Sequence, residues 1–269
     1  MPGVVVCGAM GRMGRAILGI LKEGPGGYFL SGAVESAGHP LLSQDAFEAA
    51  GVGRAGVPVT DDFAKAVAAS DVAIDFTGAD SSAGNAGRAA AAGKPIVIGS
   101  TGLGPTHMER IRSEATKVAI VQSPNMSVGV NLMFRVAADV ARVLGDEYDV
   151  EIVETHHRFK KDAPSGTAVR LADAVAAALG RTMEDSGVYG RRGMIGERPR
   201  KEIGVFAVRA GDVVGDHTLI FGGIGERFEI THRAHSRDTF ARGAVRAAAW
   251  VLGKPPGLYD MADVLGVGR

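Results

Sequence analysis

The first half of the chain alternates short apolar runs with segments that carry apolar residues at helical spacing. Residues 4–7 form an uninterrupted apolar run, and in residues 12–23 the side chains of Met13, Ile17 and Leu21 recur with the period of a helix. Uninterrupted runs of this length are typical of strands covered on both faces. The alternation predicts further strands at residues 29–35, 57–59, 72–76, 96–98 and 118–121, and helices at residues 63–69, 83–92 and 105–115. We therefore predict an α/β fold whose first domain, residues 1–127, is a Rossmann-type, doubly wound parallel sheet.

The pattern changes after residue 124. A helical pattern at residues 130–144 leads into a predicted strand at residues 150–155, and an amphipathic helix follows at residues 167–179. Three later segments alternate or run apolar without helices between them, which favours antiparallel pairing: residues 202–209, 217–221 and 227–232. The second domain, residues 128–237, is therefore predicted to be α+β with a mixed or antiparallel sheet. A last helix is predicted at residues 240–252, and the pattern assigns it to neither domain.

Composition narrows the class of partner and the compartment. The 30 Lys and Arg residues balance 30 Asp and Glu residues, so no net charge favours nucleic acid or an anionic membrane. The single cysteine, Cys7, lies in an apolar run and is predicted to be a buried, unreactive thiol, which fits a reducing cytoplasm. No export signal or membrane-spanning run is visible. We expect a cytoplasmic protein that binds a small molecule and neither nucleic acid nor membrane.

A glycine-rich turn follows the first predicted strand. Gly8, Gly11 and Gly14 have the spacing GxxGxxG and open the first predicted helix. A dinucleotide pyrophosphate needs bare backbone and the positive end of a helix at this place. The alternative is a glycine turn required only for tight packing of the strand against the helix.

Glu35 ends the second predicted strand, 21 residues beyond Gly14. A carboxylate there can accept hydrogen bonds from the adenosine ribose hydroxyls, although an ordinary solvated glutamate at a strand end is the alternative. The next residue, Ser36, offers no positive charge to a 2′-phosphate. NADH is therefore the expected cofactor, and NADPH remains the alternative because Arg12 could reach that phosphate.

Three further loops follow predicted strands on the same side of the sheet, at residues 75–77, 99–102 and 123–126. Loops at the carboxyl ends of parallel strands border the ligand crevice of this fold class. Their small hydroxyl and glycine residues would let a nicotinamide approach closely, while turn formation alone explains them equally well.

Two histidines and two lysines, His156, His157, Lys160 and Lys161, follow the predicted strand at residues 150–155. The first N–H groups of a helix have no acceptor within it, so those of Gly166 and Thr167 can bind a carboxylate. Lys160 or a protonated histidine can supply the balancing charge. The stretch therefore predicts an anionic small-molecule ligand, with an imidazole and an amine as candidate proton donors.

The ordinary interpretations of this stretch are structural histidines and a solvated lysine face. A zinc site is disfavoured because adjacent histidines point apart along an extended chain, and no further cysteine or histidine ligands lie at useful spacing. We predict no metal. His217 and His232 lie in later predicted strands and are expected to be structural unless the fold brings one of them to the cleft.

Residues 151–167 resemble the signature of the dihydrodipicolinate reductase family nearly throughout. Supporting matches at residues 6–14, 123–131 and 215–218 extend the resemblance over essentially the whole chain. The resemblance implies hydride transfer from nicotinamide C4 to C4 of a conjugated cyclic imine dicarboxylate. This is the 4-hydroxy-tetrahydrodipicolinate reductase reaction, which gives tetrahydrodipicolinate on the diaminopimelate route to lysine. It also implies a homotetramer assembled through the second domain's sheet, and a C-terminal segment, residues 238–269, that completes the first domain.

The resemblance also implies individual roles. His156 matches the acid/base histidine, His157 and Lys160 match substrate-binding and proton-donating positions, and Gly166 with Thr167 matches the carboxylate cradle. Whether His156 or Lys160 delivers the proton stays open. The positions that match the dinucleotide site are Gly8, Ala9, Met10, Gly11, Arg12, Met13, Glu35, Gly99, Ser100, Thr101, Ser123, Pro124, Asn125 and Met126. Ser36 replaces an arginine that helps some relatives accept NADPH.

Two other classes of function compete with this interpretation. An aspartate or homoserine dehydrogenase would share the glycine turn and the two-domain plan, but the run at residues 162–167 argues against it. A regulator that senses NADH would require a basic helix-turn-helix or an exposed apolar arm, and the sequence shows neither.

Overall fold

The computed structural model describes residues 1–24 and 27–267, which divide into two compact units. Unit 1 comprises Met1–Val128 and Arg237–Arg269, and unit 2 comprises Gly129–Ser236. The strands are β1 (Gly3–Cys7), β2 (Phe29–Val34), β3 (Val59–Thr60), β4 (Val72–Asp75), β5 (Ile96–Ile98), β6 (Ala119–Gln122), β7 (Asp149–His156), β8 (Gly187–Val188), β9 (Ile203–Arg209), β10 (Gly215–Gly222), β11 (Arg227–Ala234) and β12 (Gly257–Tyr259). The helices are α1 (Arg12–Glu23), α2 (Ala46–Ala50), α3 (Phe63–Ala68), α4 (Ala79–Ala91), α5 (Pro105–Ala115), α6 (Val128–Leu144), α7 (Gly166–Ala178), α8 (Met183–Ser186), α9 (Asp238–Val251) and α10 (Met261–Leu265).

Unit 1 is built on a seven-stranded parallel sheet with the order β12-β6-β5-β4-β1-β2-β3. The strand order reverses between β1 and β4, and a crevice opens at the carboxyl ends of the strands on either side of such a reversal. This is the predicted Rossmann-type, doubly wound arrangement. The predicted glycine turn and the loops after β4, β5 and β6 all lie at these carboxyl ends.

Both faces of the sheet are buried, as the uninterrupted apolar runs predicted. Val4 and Val6 of β1 pack with α1 and α9 on one face, while Val5 and Cys7 pack with α3, α4 and α5 on the other. Cys7 is fully buried. Burial, together with the nearby carboxylate of Asp75, raises the pKa of its thiol well above the ordinary value. The thiol is therefore protonated and unreactive, as predicted.

One predicted strand of unit 1 was misplaced. The apolar pattern predicted residues 57–59, whereas β3 is Val59–Thr60, which pairs with Ala33 and Val34 of β2. Pro58 has no N–H to donate to a ladder and forms an isolated antiparallel bridge with Asp45 instead. Pairing with β2 therefore begins one residue later.

The C-terminal segment belongs to unit 1 within the described residues. Helix α9 packs against α1 and against the sheet, and β12 extends the sheet by parallel pairing with β6. Gly243 of α9 lies against the carbonyl of Met126 so closely that a Cβ atom would overlap it. Neither β12 nor α10 was predicted, because each is shorter than the window that a periodic pattern needs.

Unit 2 is built on a five-stranded sheet with the order β11-β10-β7-β9-β8. Strand β10 pairs antiparallel with β11, as predicted, and it also pairs antiparallel with β7, but β9 pairs parallel with β7. Antiparallel pairing of residues 202–209 was therefore wrong. The chain between β7 and β9 contains α7, and a crossover of that length lets the second strand return in the same direction.

Residues of β7 and β10 alternate between buried and half-buried positions along each strand. The buried positions, which include Val150, Ile152, Leu219 and Phe221, pack against α6 and α7. The helices of unit 2 therefore cover one face of its sheet. No helix in the described part of the chain has the length and apolar character needed to cross a bilayer.

Candidate active site

The glycine turn between β1 and α1 is shaped by close packing. Gly8 has a φ of 71°, and the N–H groups of Gly8 and Ala9 donate to the carbonyl of Val34 at 2.9 and 3.1 Å. A Cβ atom on Gly14 would overlap the backbone of Gly8 and Ala9. Gly11 is the N-cap of α1 and provides no side-chain cap. Packing therefore accounts for Gly8 and Gly14, while the turn also leaves the positive end of α1 without a capping side chain.

A cavity of about 580 Å³ lies beside this turn and is lined by Gly8, Gly11, Glu35, Ser36, Thr77 and other residues. The Glu35 carboxylate accepts a hydrogen bond from the N–H of Met10 at 2.7 Å, which fixes its position at the cavity wall. Asp61 and Asp62 also line the cavity, and Arg88 is the one cation among the described residues that do so. The charge around this cavity is therefore predominantly negative.

A second cavity of about 470 Å³ is lined by the remaining predicted loops. It is bordered by Arg12, Met13, Gly99, Ser100, Thr101, Pro124, Asn125 and Met126, and it shares Phe76 and Thr77 with the first cavity. The structure thus gathers most of the predicted cofactor residues around two neighbouring cavities. Three do not line either cavity: Ala9, Met10 and Ser123, which are buried.

A buried aspartate that was not predicted as a site residue organises two of these loops. Asp75, at the end of β4, is fully buried. It accepts hydrogen bonds from the hydroxyl of Thr77 at 2.7 Å, the hydroxyl of Ser82 at 2.7 Å and the amide of Asn85 at 2.6 Å. Ser82 also bonds Ser100 at 2.7 Å. The loops after β4 and β5 are therefore joined through one carboxylate.

In unit 2, the alternation of β7 determines which side chains of residues 151–167 meet. Val150, Ile152, Glu154 and His156 all project to the face that α6 and α7 cover. In the strand register, His217 of β10 lies opposite Glu154, and Arg209 of β9 lies opposite His156. A carboxylate, two imidazoles and a guanidinium therefore converge at the carboxyl end of β7.

Glu154 is the centre of this cluster and is fully buried. Its carboxylate accepts two hydrogen bonds from Arg209, both at 2.9 Å, one from Nδ1 of His156 at 2.5 Å and one from the N–H of Ser165 at 3.0 Å. Burial acts to raise the pKa of Glu154, but these hydrogen bonds outweigh it and hold the pKa below its ordinary value. Glu154 is therefore a carboxylate at neutral pH.

The two buried histidines are held in different ways. Burial lowers the pKa of His156 despite the opposing effect of Glu154, so the imidazole is mostly neutral at pH 7. The His217 ring lies 5.2 Å from the His156 ring, edge to face. Ser165 caps α7 by accepting the N–H of Ala168, and its hydroxyl shares a hydrogen bond of 3.0 Å with Nε2 of His217. The fold thus places His217, which is buried, beside His156 in the cluster.

The loop between β7 and α7 carries the predicted cations. Nζ of Lys160 donates to both carboxylate oxygens of Asp162 at 2.9 and 2.8 Å, and this pairing lowers the pKa of Asp162. The Lys160 side chain is 20% exposed, whereas Lys161 is exposed. Gly166 and Thr167 form the first turn of α7 beside this loop, as predicted. Nδ1 of His157 is buried and has no hydrogen-bond partner among the residues that the structure describes.

Three members of the cluster were not predicted from the sequence: Glu154, Arg209 and Ser165. Period-two alternation from Val150 already placed Glu154 on the buried face, where a carboxylate requires donors. No sequence pattern identified Arg209, because its pairing depends on the unpredicted parallel register of β9. Among the described residues, no group of three or more His, Cys, Asp or Glu side chains is placed to hold a metal ion.

Comparison with protein-family models gives two matches that together span nearly the whole chain. Residues 3–126 match the model described as dihydrodipicolinate reductase, N-terminus, and residues 129–265 match dihydrodipicolinate reductase, C-terminus. The chain is 57% identical over 267 residues to the 4-hydroxy-tetrahydrodipicolinate reductase of Anaeromyxobacter dehalogenans (strain 2CP-1), covering 99% of this chain and 98% of the relative. It is 54% identical to the enzyme of that name from Syntrophus aciditrophicus, covering 97% of each chain.

Solved structures share the fold at lower identity. The dipicolinate-bound dihydrodipicolinate reductase from Paenisporosarcina sp. TG-14 has a TM-score of 0.77 at 22% identity and covers 98% of each chain. GenD2 from gentamicin A biosynthesis, in complex with NAD, has a TM-score of 0.63 at 15% identity, covering 99% of this chain and 90% of its own. These likenesses agree with a Rossmann-type unit joined to a second unit with a mixed sheet.

Proposed function

This chain belongs to the dihydrodipicolinate reductase family, and from that membership we propose how its two units divide the reaction. The family models and the relatives show the activity of a 4-hydroxy-tetrahydrodipicolinate reductase, an NAD(P)H-dependent oxidoreductase of lysine and diaminopimelate biosynthesis. In our proposal unit 1 binds the dinucleotide and the loop and helix start at residues 156–167 bind the dicarboxylate substrate. The convergence of charged and imidazole side chains at the carboxyl end of β7 carries this proposal.

The cavities of unit 1 fit a dinucleotide. They meet at Phe76 and Thr77, and the uncapped start of α1 at Gly11 offers backbone N–H groups suited to a pyrophosphate. When bound, the reduced dinucleotide supplies the hydride. Glu35 would accept hydrogen bonds from the ribose hydroxyls in the first cavity. Ser100, Thr101 and Asn125 would hold the nicotinamide end of the dinucleotide in the second cavity.

We propose that NADH is preferred over NADPH. A 2′-phosphate in the first cavity would lie among the carboxylates of Glu35, Asp61 and Asp62, which Arg88 balances only in part. Arg12, which was considered as a phosphate ligand, lines the second cavity instead. Both observations support a cavity better suited to a ribose with two hydroxyl groups.

Unit 2 offers cationic and N–H donors suited to a dicarboxylate. Lys160 is paired with Asp162, and an incoming carboxylate can replace that partner because Asp162 is 61% exposed and can be solvated. The N-terminus of α7, at Gly166 and Thr167, would hold a substrate carboxylate. His157, whose Nδ1 is buried, lies in the loop that leads to this helix.

Lys160 is the proton donor in this proposal. His156 is mostly neutral, and its Nδ1 proton is engaged by Glu154, so its other nitrogen, Nε2, carries a lone pair. A neutral imidazole in that state accepts a proton and does not donate one. The ammonium of Lys160 has three N–H donors. His156 would orient the substrate or, after accepting a proton from water at Nε2, pass that proton to the lysine amine.

The proposal includes a homotetramer in the cytoplasm. The face of the unit 2 sheet opposite α6 and α7 carries Val153, Phe206, Val208 and Ile220, with Val208 42% exposed. These apolar side chains lie among polar ones on the same face, such as Glu151 opposite Ile220, and partly exposed apolar side chains of this kind support burial between copies of the chain. Sedimentation should give a mass close to four times 27.7 kDa, and a monomer would contradict the homotetramer.

A cytoplasmic location agrees with the reduced thiol of Cys7 and with a biosynthetic reaction that consumes a reduced dinucleotide.

The test is a comparison of Lys160→Ala with Lys161→Ala. Loss of the proton donor should lower kcat by about 10²- to 10⁴-fold, while the dissociation constant for NADH, measured by fluorescence titration, stays unchanged. Lys161→Ala, one residue along and exposed, should keep near wild-type values. Equal turnover in the two variants, or loss of NADH binding in Lys160→Ala, would contradict the assignment.

A further inference from the structure

The carboxylate of Glu154 is saturated by donors. Oε1 accepts from the N–H of Ser165 at 3.0 Å and from Nη2 of Arg209 at 2.9 Å. Oε2 accepts from Nδ1 of His156 at 2.5 Å and from Nη1 of Arg209 at 2.9 Å. Because a carboxylate can only accept, the hydrogen between Glu154 and His156 resides on Nδ1 of the imidazole.

We infer that Glu154, held by Arg209, is a positioning residue with two effects. It fixes His156 as its Nδ1–H tautomer, and it holds the turn before α7 in place through the N–H of Ser165. The inference deepens the proposed function and rests on the role given there to His156. Glu154 is fully buried, so it acts on the substrate only through His156 and the start of α7.

Arg209 makes this arrangement compatible with a neutral imidazole. An unpaired carboxylate beside His156 would stabilise the imidazolium, but the bidentate guanidinium compensates that charge. Nη2 of Arg209 also donates to the carbonyl of Asp162 at 2.6 Å, which ties the loop that carries Lys160 to the same clamp. The charged and titratable groups that face His156 are Glu154 on its own strand, Arg209 on β9, His217 on β10 and Lys160 on the loop.

A purely structural role for the Glu154–Arg209 pair is the competing explanation. A structural pair would contribute to folding but would not determine which nitrogen of His156 carries hydrogen. The two explanations therefore differ in the tautomer of His156 and in its response to isosteric substitution.

Glu154→Gln should reverse the tautomer. If the amide oxygen keeps the place of Oε1, where Ser165 and Arg209 both donate, the amide NH₂ takes the place of Oε2 and donates to Nδ1 of His156. Nδ1 must then be the unprotonated nitrogen, and Nε2 carries the hydrogen. Since general acid–base groups contribute about 10²- to 10⁴-fold, we expect kcat to fall at least about tenfold with the KM for NADH unchanged.

Neutron diffraction of the wild-type protein at alkaline pD is the direct test, because it requires no variant to fold. Deuterium on Nδ1 and none on Nε2 of His156 is expected, and the reverse would overturn the inference. In Glu154→Gln crystals whose maps place the amide nitrogen beside Nδ1, deuterium should move to Nε2, and an unchanged Nδ1–D with that amide orientation would also overturn it.

Arg209→Met provides a kinetic test with a matched control. The uncompensated charge of Glu154 should raise the pKa of His156, so the acid limb of the kcat profile should move towards higher pH. Arg191→Met removes a bidentate arginine from Glu151 on the half-buried face of the same strand and should leave that limb in place. Equal profiles for the two variants would contradict the inference.

Failure of the proposed function has a different signature. If His156→Asn retains wild-type kcat, the catalytic assignment of His156 fails. The neutron maps still report on Glu154 in that case, because the tautomer is observed without turnover.

Discussion

Gly215 at the start of β10 lies against the reactive edge of His156. A Cβ atom at this position would lie 2.9 Å from Nε2 and 3.3 Å from Cδ2 of the His156 ring. To restore an ordinary contact of about 3.5 Å, the ring would have to retreat by roughly 0.6 Å. Glu154 holds Nδ1 at 2.5 Å and the His217 ring packs at 5.2 Å, so the retreat strains both contacts. We expect Gly215→Ala to cost about 1–3 kcal/mol of stability, as overpacking does.

The larger effect of Gly215→Ala should be on turnover. Because a displacement of about 1 Å can cost up to 10²-fold, we expect kcat to fall by roughly 10- to 100-fold at temperatures where the variant is fully folded. Gly222→Ala is the matched control, since a Cβ atom there meets only Asp149, at 3.9 Å, and lies at the far end of the same strand. Steady-state kinetics and thermal unfolding measure both effects. If Gly215→Ala and Gly222→Ala had equal kcat, the position assigned to His156 would be refuted.

Further predictions concern cofactor choice, packing and pH. Ser36→Arg should raise kcat/KM for NADPH relative to kcat/KM for NADH by about tenfold or more, because a charge-assisted hydrogen bond to the 2′-phosphate contributes about 1.5–3 kcal/mol. An unchanged ratio would count against the assignment of the first cavity to the adenosine ribose. Gly14→Ala should lower the melting temperature. Gly19→Ala on the same helix, where a Cβ atom meets open space, should raise the free energy of unfolding by about 0.5–1 kcal/mol. Equal effects of the two substitutions would argue against the packing described for the turn. Burial, with the nearby His156, lowers the pKa of His217 to about 4, below an ordinary value of about 6.5. As the pH falls, the unfolded chain therefore binds a proton at His217 before the folded chain does. The contribution of the neutral His217 to the free energy of unfolding is complete above about pH 6.5 and is lost as the pH falls to about 4, by up to roughly 3 kcal/mol. Urea unfolding across this range should show a shallower loss for His217→Gln than for the wild type, and parallel curves would contradict it.

Most strands of unit 1 could be predicted because a strand buried on both faces is an uninterrupted apolar run. The predicted helix at residues 12–23 coincides with α1, because its apolar stripe and the glycines at its two ends, Gly11 and Gly24, indicate the same bounds. The elements of unit 1 that escaped prediction, α2, β12 and α10, have five residues or fewer and form because the rest of unit 1 packs around them. Tertiary packing, rather than local pattern, determines such short elements.

The site was predictable only in part for a related reason. His156, Lys160 and Gly166 are adjacent in sequence, so one stretch identified them. Arg209, which binds Glu154, and His217, which packs against His156, come from β9 and β10. Their approach depends on strand register, which apolar alternation does not specify between distant segments. Glu154 could have been found, because a carboxylate on the buried face of β7 signals a charged partner elsewhere in the fold.

The most direct measurement is dinucleotide oxidation with the substrate generated in place by dihydrodipicolinate synthase from pyruvate and aspartate semialdehyde. The purified protein should consume NADH, and NADPH more slowly, only when the synthase and both of its substrates are present. No oxidation of either dinucleotide under these conditions would contradict the account.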